Sequence, residues 1–365
     1  MAQMDYYFFI ITIIDVFTLG IMCILTRSNE TLNKQQRQRF IMSFLLIIVI
    51  SVLEIITVIV CDGPASLRWI NILANYLGFG LTPAIPIFLA AALNKNQSTK
   101  YAFWLEAVYL FFLAITFPQK LVFYVDHDNH YMRGNFFIIY LTCYFASIFY
   151  LLAITLRVAR TYQSKSKNSV YFIVAFLLAG TIVQVIFPQL HVTWLCVTLL
   201  AMLFFTYCNG MWQQLDKLTG LLNQNSYLNK TASLSQNGTL LVFDVDDFKQ
   251  INDTYGHLNG DKCLETIAAC IKKAYFKDGF CYRIGGDEFC VLLNKDADAE
   301  VCYKNFVEEL SNRRKTLDIL PCVSIGSAPF VVGDNIPSVK ETADQMLYQS
   351  KKKKKVANKE DVDTF

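Results

Sequence analysis

Arg283-Ile284-Gly285-Gly286-Asp287-Glu288-Phe289 is the stretch on which the reading of this chain turns. It lies between two apolar runs, 280–284 and 289–293, rich in the aromatic and branched residues that favour strands. Two glycines between such runs predict a tight hairpin turn, because glycine takes φ > 0 without a Cβ clash. Asp287 and Glu288 follow at the tip, where they meet solvent or a ligand. A bare turn is served equally well by Asn-Gly or Asp-Gly. Glycines that admit a close approach, with carboxylates beside them, suggest a polyphosphate held through a metal ion.

A second acidic cluster strengthens that reading. Residues 239–243 are an apolar run, hence a buried strand, ending in Asp244-Val245-Asp246-Asp247-Phe248-Lys249. Asp244 stands where a central strand surfaces. Farther on, Leu264, Ile267, Ala268, Ile271 and Tyr275 keep one helical face apolar. Asp244 and Asp287 then come from different strands of one sheet and converge. Mg²⁺ usually takes one or two protein carboxylates and completes its shell with water and phosphate.

With these residues in view, the segment 216–355 resembles a GGDEF domain, the catalytic unit of bacterial diguanylate cyclases. The matching stretches are Asp216-Lys217-Leu218-Thr219-Gly220-Leu221-Leu222-Asn223, Phe243 through Asp253, Tyr255-Gly256-His257, Gly260-Asp261 and the signature Arg283 to Phe289. Ser324-Ile325-Gly326, Ala343-Asp344, Leu347-Tyr348 and Lys351 complete the series. A single motif of this kind is weak; the ordered set is specific.

The resemblance implies an α/β sheet of about five strands, like the palm fold of class III nucleotide cyclases. It implies condensation of two GTP into cyclic di-GMP and two pyrophosphates by a homodimer, each domain holding one GTP across a two-fold axis. Asp244, the carbonyl of Val245 and Asp287 match ligands for Mg²⁺ or Mn²⁺. Gly285, Gly286, Asp287 and Glu288 form the catalytic signature, with Glu288 either base or metal partner. Asn252 and Asp261 match the guanine-reading pair, an amide and a carboxylate that complement guanine's donors and acceptors. The backbone around Asp247, Phe248 and Lys249, with Lys351 and Lys355, would hold the β- and γ-phosphates. For Asp246, Asp253 and Asp344 a loop or cap role is the plainer reading.

Three departures from the family pattern stand out. Gln224 occupies a position usually held by arginine, and Lys354-Lys355-Val356 replaces a terminal Gly-Arg-Asn, so the planar guanidinium fork is lost. Many relatives carry Arg-x-x-Asp five residues before the signature, where product inhibits; Phe276 and Gly279 stand there in this chain.

Composition divides the chain. Of its 365 residues 54% are hydrophobic, and the mean hydropathy is +0.35, too apolar for an ordinary soluble protein. Residues 1–208 hold 13 Lys+Arg and 8 Asp+Glu, and the remainder holds 20 and 22. The expected layout is a polytopic all-α membrane bundle over 1–208, a linker helix over 209–215, the catalytic domain over 216–355 and a polar tail over 356–365.

Seven apolar segments are drawn at 6–25, 40–60, 70–93, 101–117, 136–156, 170–187 and 192–208. Most approach the span of about 20 residues that crosses a bilayer. The tight boundary at 188–191 leaves six as the other count. No cleavage site follows the first segment, which reads as retained. Loops on the C-terminal domain's side hold ten Lys+Arg, and the opposite loops hold Arg68, Lys120 and Arg133. Basic residues collect on the cytoplasmic side. The N-terminus is therefore expected outside, and the catalytic domain in the cytoplasm of a bacterial cell, where GTP is.

Eleven cysteines lack Cys-x-x-Cys spacing and read as small buried side chains. The lysine run 351–355 reads as a solvated helix end, and nucleic acid is not an expected partner. Asp15, Glu54 and Glu106 lie inside expected spans, where ionisable groups either pair within the bundle or mark function. Asp126-His127-Asp128-Asn129-His130 is either a metal-binding loop or a polar turn. Without a sizeable outer domain, the signal is expected to be small, lipid-borne or delivered by a partner protein. The rival readings are a catalytically silent GGDEF domain that binds nucleotide or dimerises a receptor, and a transporter with a regulatory domain.

Overall fold

A computed structural model describes residues 2–61, 63–93, 98–161, 167–186 and 193–360. The chain divides into two compact units between Gln213 and Gln214.

The first unit is helical: α1 (Ala2–Ser28), α2 (Lys34–Cys61), α3 (Arg68–Leu81), α4 (Ala84–Leu93), α5 (Ser98–Thr116), α6 (Phe137–Thr161), α7 (Lys167–Ile186) and α8 (Thr193–Trp212). Among the described residues six helical stretches are long and apolar enough to cross a membrane: Tyr7–Ser28, Lys34–Cys61, Ala65–Leu93, Thr99–Thr116, Ile138–Arg160 and Thr193–Trp212. The hydropathy reading expected about seven; α7, at its sixth segment, is a 20-residue helix between the last two of these six. Phe17, Ile24, Trp104 and Phe111 are exposed on the outside of this unit. Such a rind of large apolar side chains suits contact with lipid.

The third expected segment is broken. Pro83 has no N–H and cannot continue α3, and Thr82 closes the helix by donating its hydroxyl to the Gly78 carbonyl at 2.6 Å. Aromatic packing joins α2 to α8, with Phe40 edge-on to Phe205 at 5.1 Å and to Trp212 at 6.1 Å.

Residues 126–130 are a polar turn. They connect β1 (Phe123–Val125) and β2 (Tyr131–Arg133), an antiparallel pair. Asp126 Oδ1 accepts from the His130 N–H at 2.8 Å. Asn129, fully buried at φ +66, donates to the Val60 carbonyl at 2.5 Å. Among the described residues no group of three or more His, Cys, Asp or Glu is placed to hold a metal ion.

The second unit contains α9 (Gln224–Thr231), β3 (Gly238–Val245), α10 (Phe248–Tyr255), α11 (His257–Tyr275), β4 (Gly279–Arg283), β5 (Glu288–Asn294), α12 (Ala299–Arg314), β6 (Val323–Phe330) and α13 (Ile336–Glu360). Its sheet has the order β4-β5-β3-β6 with every pair antiparallel. Four strands form among the described residues, where the family resemblance implied about five. Leu222 adds only an isolated bridge to Tyr282 at the β4 edge.

The central strand is buried on both faces, so its sequence is a continuous apolar run. Alternation sends Leu241, Phe243 and Val245 toward α11 and α12, where they meet Ile267, Ile271, Tyr275 and Phe306. It sends Leu240 and Val242 to the opposite face, against Ala343 and Leu347 of α13. The expected apolar series on α11 (Leu264, Ile267, Ala268, Ile271 and Tyr275) is buried throughout. Six of the eleven free cysteines are buried, four are partly buried and Cys322 is exposed.

Candidate active site

Strand pairing assembles the acidic end of the sheet. Asp244, the penultimate residue of β3, lies directly opposite Glu288, the first residue of β5. Alternation along both strands turns Asp244 with Val242, and Glu288 with Cys290, onto the face covered by α13. The helix supplies the cations: Lys351 Nζ stands 2.5 Å from Asp244 Oδ1, and Lys340 Nζ is 4.0 Å from Glu288 Oε2. This close approach depends on Gly326 of β6, where a Cβ would run into the Ala343 carbonyl and Leu347. That contact gives the Ser324-Ile325-Gly326 and Ala343-Asp344 motifs a packing role.

The signature is a hairpin turn between β4 and β5, with the amides of Ile284 and Gly285 both donating to the Glu288 carbonyl, at 3.1 and 3.4 Å. One expectation is corrected here. Neither Gly285 nor Gly286 has φ in the left-handed region; the glycines that do are Gly220, Gly256 and Gly333. The turn closes without positive φ because Arg283 braces it from within, donating through Nε and Nη2 to the Gly286 carbonyl at 3.1 and 2.7 Å. A Cβ at Gly286 would meet nothing within 4 Å. Gly286 therefore leaves a bare backbone in open space, which is what close approach by a ligand requires, while a Cβ at Gly285 would touch the Glu288 carboxylate at 3.4 Å.

Arg283 also reaches the first motif. Its Nη1 lies 3.0 Å from Asp216 Oδ1, an oxygen that also accepts from the Thr219 amide at 2.8 Å and hydroxyl at 2.7 Å. Burial works to raise the Asp216 carboxyl, but the hydrogen bonds from Thr219 and the Arg283 guanidinium prevail and hold it below its ordinary range. Both residues stand within motifs of the sequence, but no local pattern announces their pairing. Their opposite charges, each beside a glycine turn, were the available signal. Asn223 caps α9 by accepting from the Ser226 amide at 3.0 Å, and Gln224 beside it is exposed.

Beyond β3 the chain turns sharply. Asp246 accepts the Ser324 hydroxyl at 2.7 Å, a structural tie between β3 and β6. Asp247 adopts a left-handed φ of +54 and starts α10 without a side-chain cap. A non-glycine residue held there costs on the order of 1–3 kcal/mol and persists only where its surroundings enforce it. The N-terminus of α10, at Phe248 and Lys249, thus presents backbone amides and the positive end of the helix dipole.

Asn252 sits on α10 and Asp261 on α11. The two helices approach closely at Gly260, next to Asp261, where a Cβ would strike the Asn252 side chain and approach the Phe248 ring to 3.3 Å. Lys351 is at the carboxylates; Lys355 lies on the same helix, but its side chain falls outside those described.

The donors at the strand ends suit a hard divalent cation. They are the carboxylate oxygens of the paired residues Asp244 and Glu288. The Val245 amide donates to the Asp287 carbonyl at 3.3 Å, but among the described residues the three acids are not gathered as one group of metal ligands. Asp244 already carries a cationic group, the Lys351 ammonium.

This α/β unit, with its glycine hairpin and facing carboxylates, has the makings of a nucleotide-binding domain. Residues 213–357 match the family model described as "Diguanylate cyclase, GGDEF domain", and this part of the chain is a GGDEF domain. It is 37% identical over 139 residues to "Diguanylate cyclase A" of Treponema denticola, covering 36% of this chain and 37% of that protein. It is 36% identical over 140 residues to "Probable diguanylate cyclase DgcI" of Escherichia coli K12, covering 38% and 31%. The solved GGDEF domain of DgcB from Caulobacter crescentus, in complex with c-di-GMP, is 32% identical and covers 38% of this chain and 90% of that one, with a TM-score of 0.33. The chain thus spans about a third of the length of the curated relatives it matches.

Proposed function

We propose that this protein is a membrane-bound diguanylate cyclase, condensing two GTP into cyclic di-GMP with release of two pyrophosphates. The observation that supports this most is the pairing of Asp244 with Glu288 at the strand ends, beside the bare Gly285-Gly286 backbone and directly before the uncapped start of α10. Carboxylates, an open glycine turn and a helix N-terminus within a few residues form a site for a metal-bound triphosphate.

Asp244, Asp287 and the Val245 carbonyl hold a divalent cation, Mg²⁺ or Mn²⁺, which when bound neutralises the triphosphate and polarises the α-phosphate. The amides at Phe248 and Lys249, with Lys351 and Lys355, take the β- and γ-phosphates. Asn252 and Asp261 read guanine. The glycine turn admits the α-phosphate to a 3′-hydroxyl from the nucleotide of a second domain, so the homodimer completes the site. Catalysis is then chiefly positioning and charge stabilisation.

The all-antiparallel sheet with its acidic strand end supports kinship with the palm architecture of class III cyclases. Six described spans with α7 support a seven-helix bundle, and the ten-to-three bias of basic residues supports an outer N-terminus and a cytoplasmic catalytic domain. The bundle answers a signal in or near the bilayer.

The test is incubation of the purified full-length protein in lipid nanodiscs with GTP and Mg²⁺ or Mn²⁺, with nucleotides resolved by mass spectrometry. Cyclic di-GMP and pyrophosphate in a one-to-two ratio are expected. GTP consumed to no cyclic product, or not consumed with either metal, overturns the assignment in favour of a silent nucleotide-binding domain.

A further inference from the structure

Between α4, α5 and α6 lies a pocket of about 530 Å³, within the range of about 300–1,000 Å³ usual for small-molecule sites. Its walls are mainly apolar, with Ile87 from α4 among them. Two of its polar side chains are already satisfied: Tyr109 donates to the Phe79 carbonyl at 3.4 Å and Ser147 to the Tyr144 carbonyl at 2.7 Å. Two are not. Glu106 is 8% exposed, and its Oε1, like the Tyr150 hydroxyl, is buried without a hydrogen-bond partner among the described residues. Among the described residues lining the pocket none is Lys, Arg or His.

An ionised carboxylate among apolar walls is costly unless a cation meets it. No lining side chain supplies that cation, and an orphaned acceptor in a ligand-sized cavity calls for a donor from outside the chain. We propose that this pocket binds a lipid-soluble primary amine, its hydrocarbon body against the apolar walls and its ammonium on Glu106. An ammonium has three donors and no acceptor, so one N–H meets Glu106 Oε1 and a second meets the Tyr150 oxygen. A hydroxyl has one donor and leaves the carboxylate's charge uncompensated. The site stands on α4, α5 and α6 alone and does not depend on the cyclase reading.

The test is equilibrium binding of radiolabelled n-decylamine to the full-length protein in phosphatidylcholine nanodiscs, with empty nanodiscs as the partition blank. Saturable binding near one molecule per chain is expected, weakened at least tenfold in Glu106→Gln and displaced at least tenfold more poorly by n-decanol than by unlabelled amine. Ala146→Phe, which fills the pocket and keeps the carboxyl, is expected to abolish binding and decides the matter if Glu106→Gln does not fold. Absence of saturable binding, equal displacement by the alcohol, or full binding to a folded form of either variant overturns the proposal.

Discussion

Lys351 and Asp244 stand 107 positions apart in sequence and 2.5 Å apart in space, ammonium to carboxylate. The contact arises because β3 alternates, Asp244 falls on the face that α13 covers, and Gly326 lets that helix settle onto the sheet. One side of the site therefore carries the acids of the strand ends and the other the cations of a helix.

Substituting Asp287 in the signature turn and Lys351 on α13 should separate charge neutralisation from phosphate grip. Asp287 lies in the hairpin turn outside both cores, so Asp287→Ala is expected to keep its melting temperature while kcat falls by roughly 100-fold or more. On the proposed assignment Lys351→Ala is expected to act mainly on KM, raising it about tenfold, through loss of one donor to the triphosphate. Steady-state kinetics with GTP decides, and near-wild-type kcat in Asp287→Ala would sink the metal assignment.

The Arg283–Asp216 brace makes a pH prediction. Asp216 in the folded protein holds its proton more weakly than the unfolded chain, whose carboxyl titrates near pH ~3.9. The unfolded state therefore binds more protons, and this contribution to stability is present above the unfolded value and is lost as pH falls toward the lower folded one. For a partly buried pair the loss should be about 1–2 kcal/mol. Asp216→Asn is expected to lower the melting temperature by about 2–4 °C per kcal/mol at pH 6, with the gap closing as pH is lowered below ~4. Thermal unfolding of the two proteins across pH 3–7 reads this directly, and a pH-independent gap would refute it.

The proposed guanine-reading pair is Asn252 and Asp261, and Gly260, beside Asp261, lies tight against the Asn252 side chain. Sites that hydrogen-bond a particular base reject a mismatched one strongly, because their own polar groups are left unpaired. GTP is expected to exceed ATP in kcat/KM by at least 100-fold. Gly260→Ala is expected to erode that ratio by displacing the Asn252 amide while leaving the sheet intact. Equal use of the two nucleotides by the wild type removes this pair as the base reader.

Product feedback should be absent. Phe276, the C-cap of α11, has no donor in place of a guanidinium, and Gly279, the first residue of β4, has no side chain. The structure adds that Gly279 cannot be converted: a Cβ there would lie 2.6 Å from the Leu292 carbonyl in the neighbouring strand. Initial rates at saturating GTP are expected to stay unchanged with low-micromolar cyclic di-GMP, and Gly279→Asp is expected to unfold the domain rather than install inhibition. Potent inhibition that GTP does not relieve would place an allosteric site elsewhere on the chain.

Local chemistry was legible in the sequence. The apolar run into Asp244, the glycine turn before Asp287, and the 3.6-residue spacing along α11 each state their own conformation, because strand, turn and helix are decided by neighbours a few residues away. The long apolar helices were legible for the same reason. Register, facing and closeness of approach were not. No local rule announces that Glu288 stands opposite Asp244, or that Arg283 closes the signature turn without positive φ. Nor does one announce that Gly326 is bare so that α13 can bring Lys351 down. The pocket holding Glu106 belongs to this second kind: its helix was visible as a span, but the company of α4 and α6 is a matter of packing. Pairings between distant segments are chosen by the summed burial of two whole faces, a quantity that no single stretch of sequence contains.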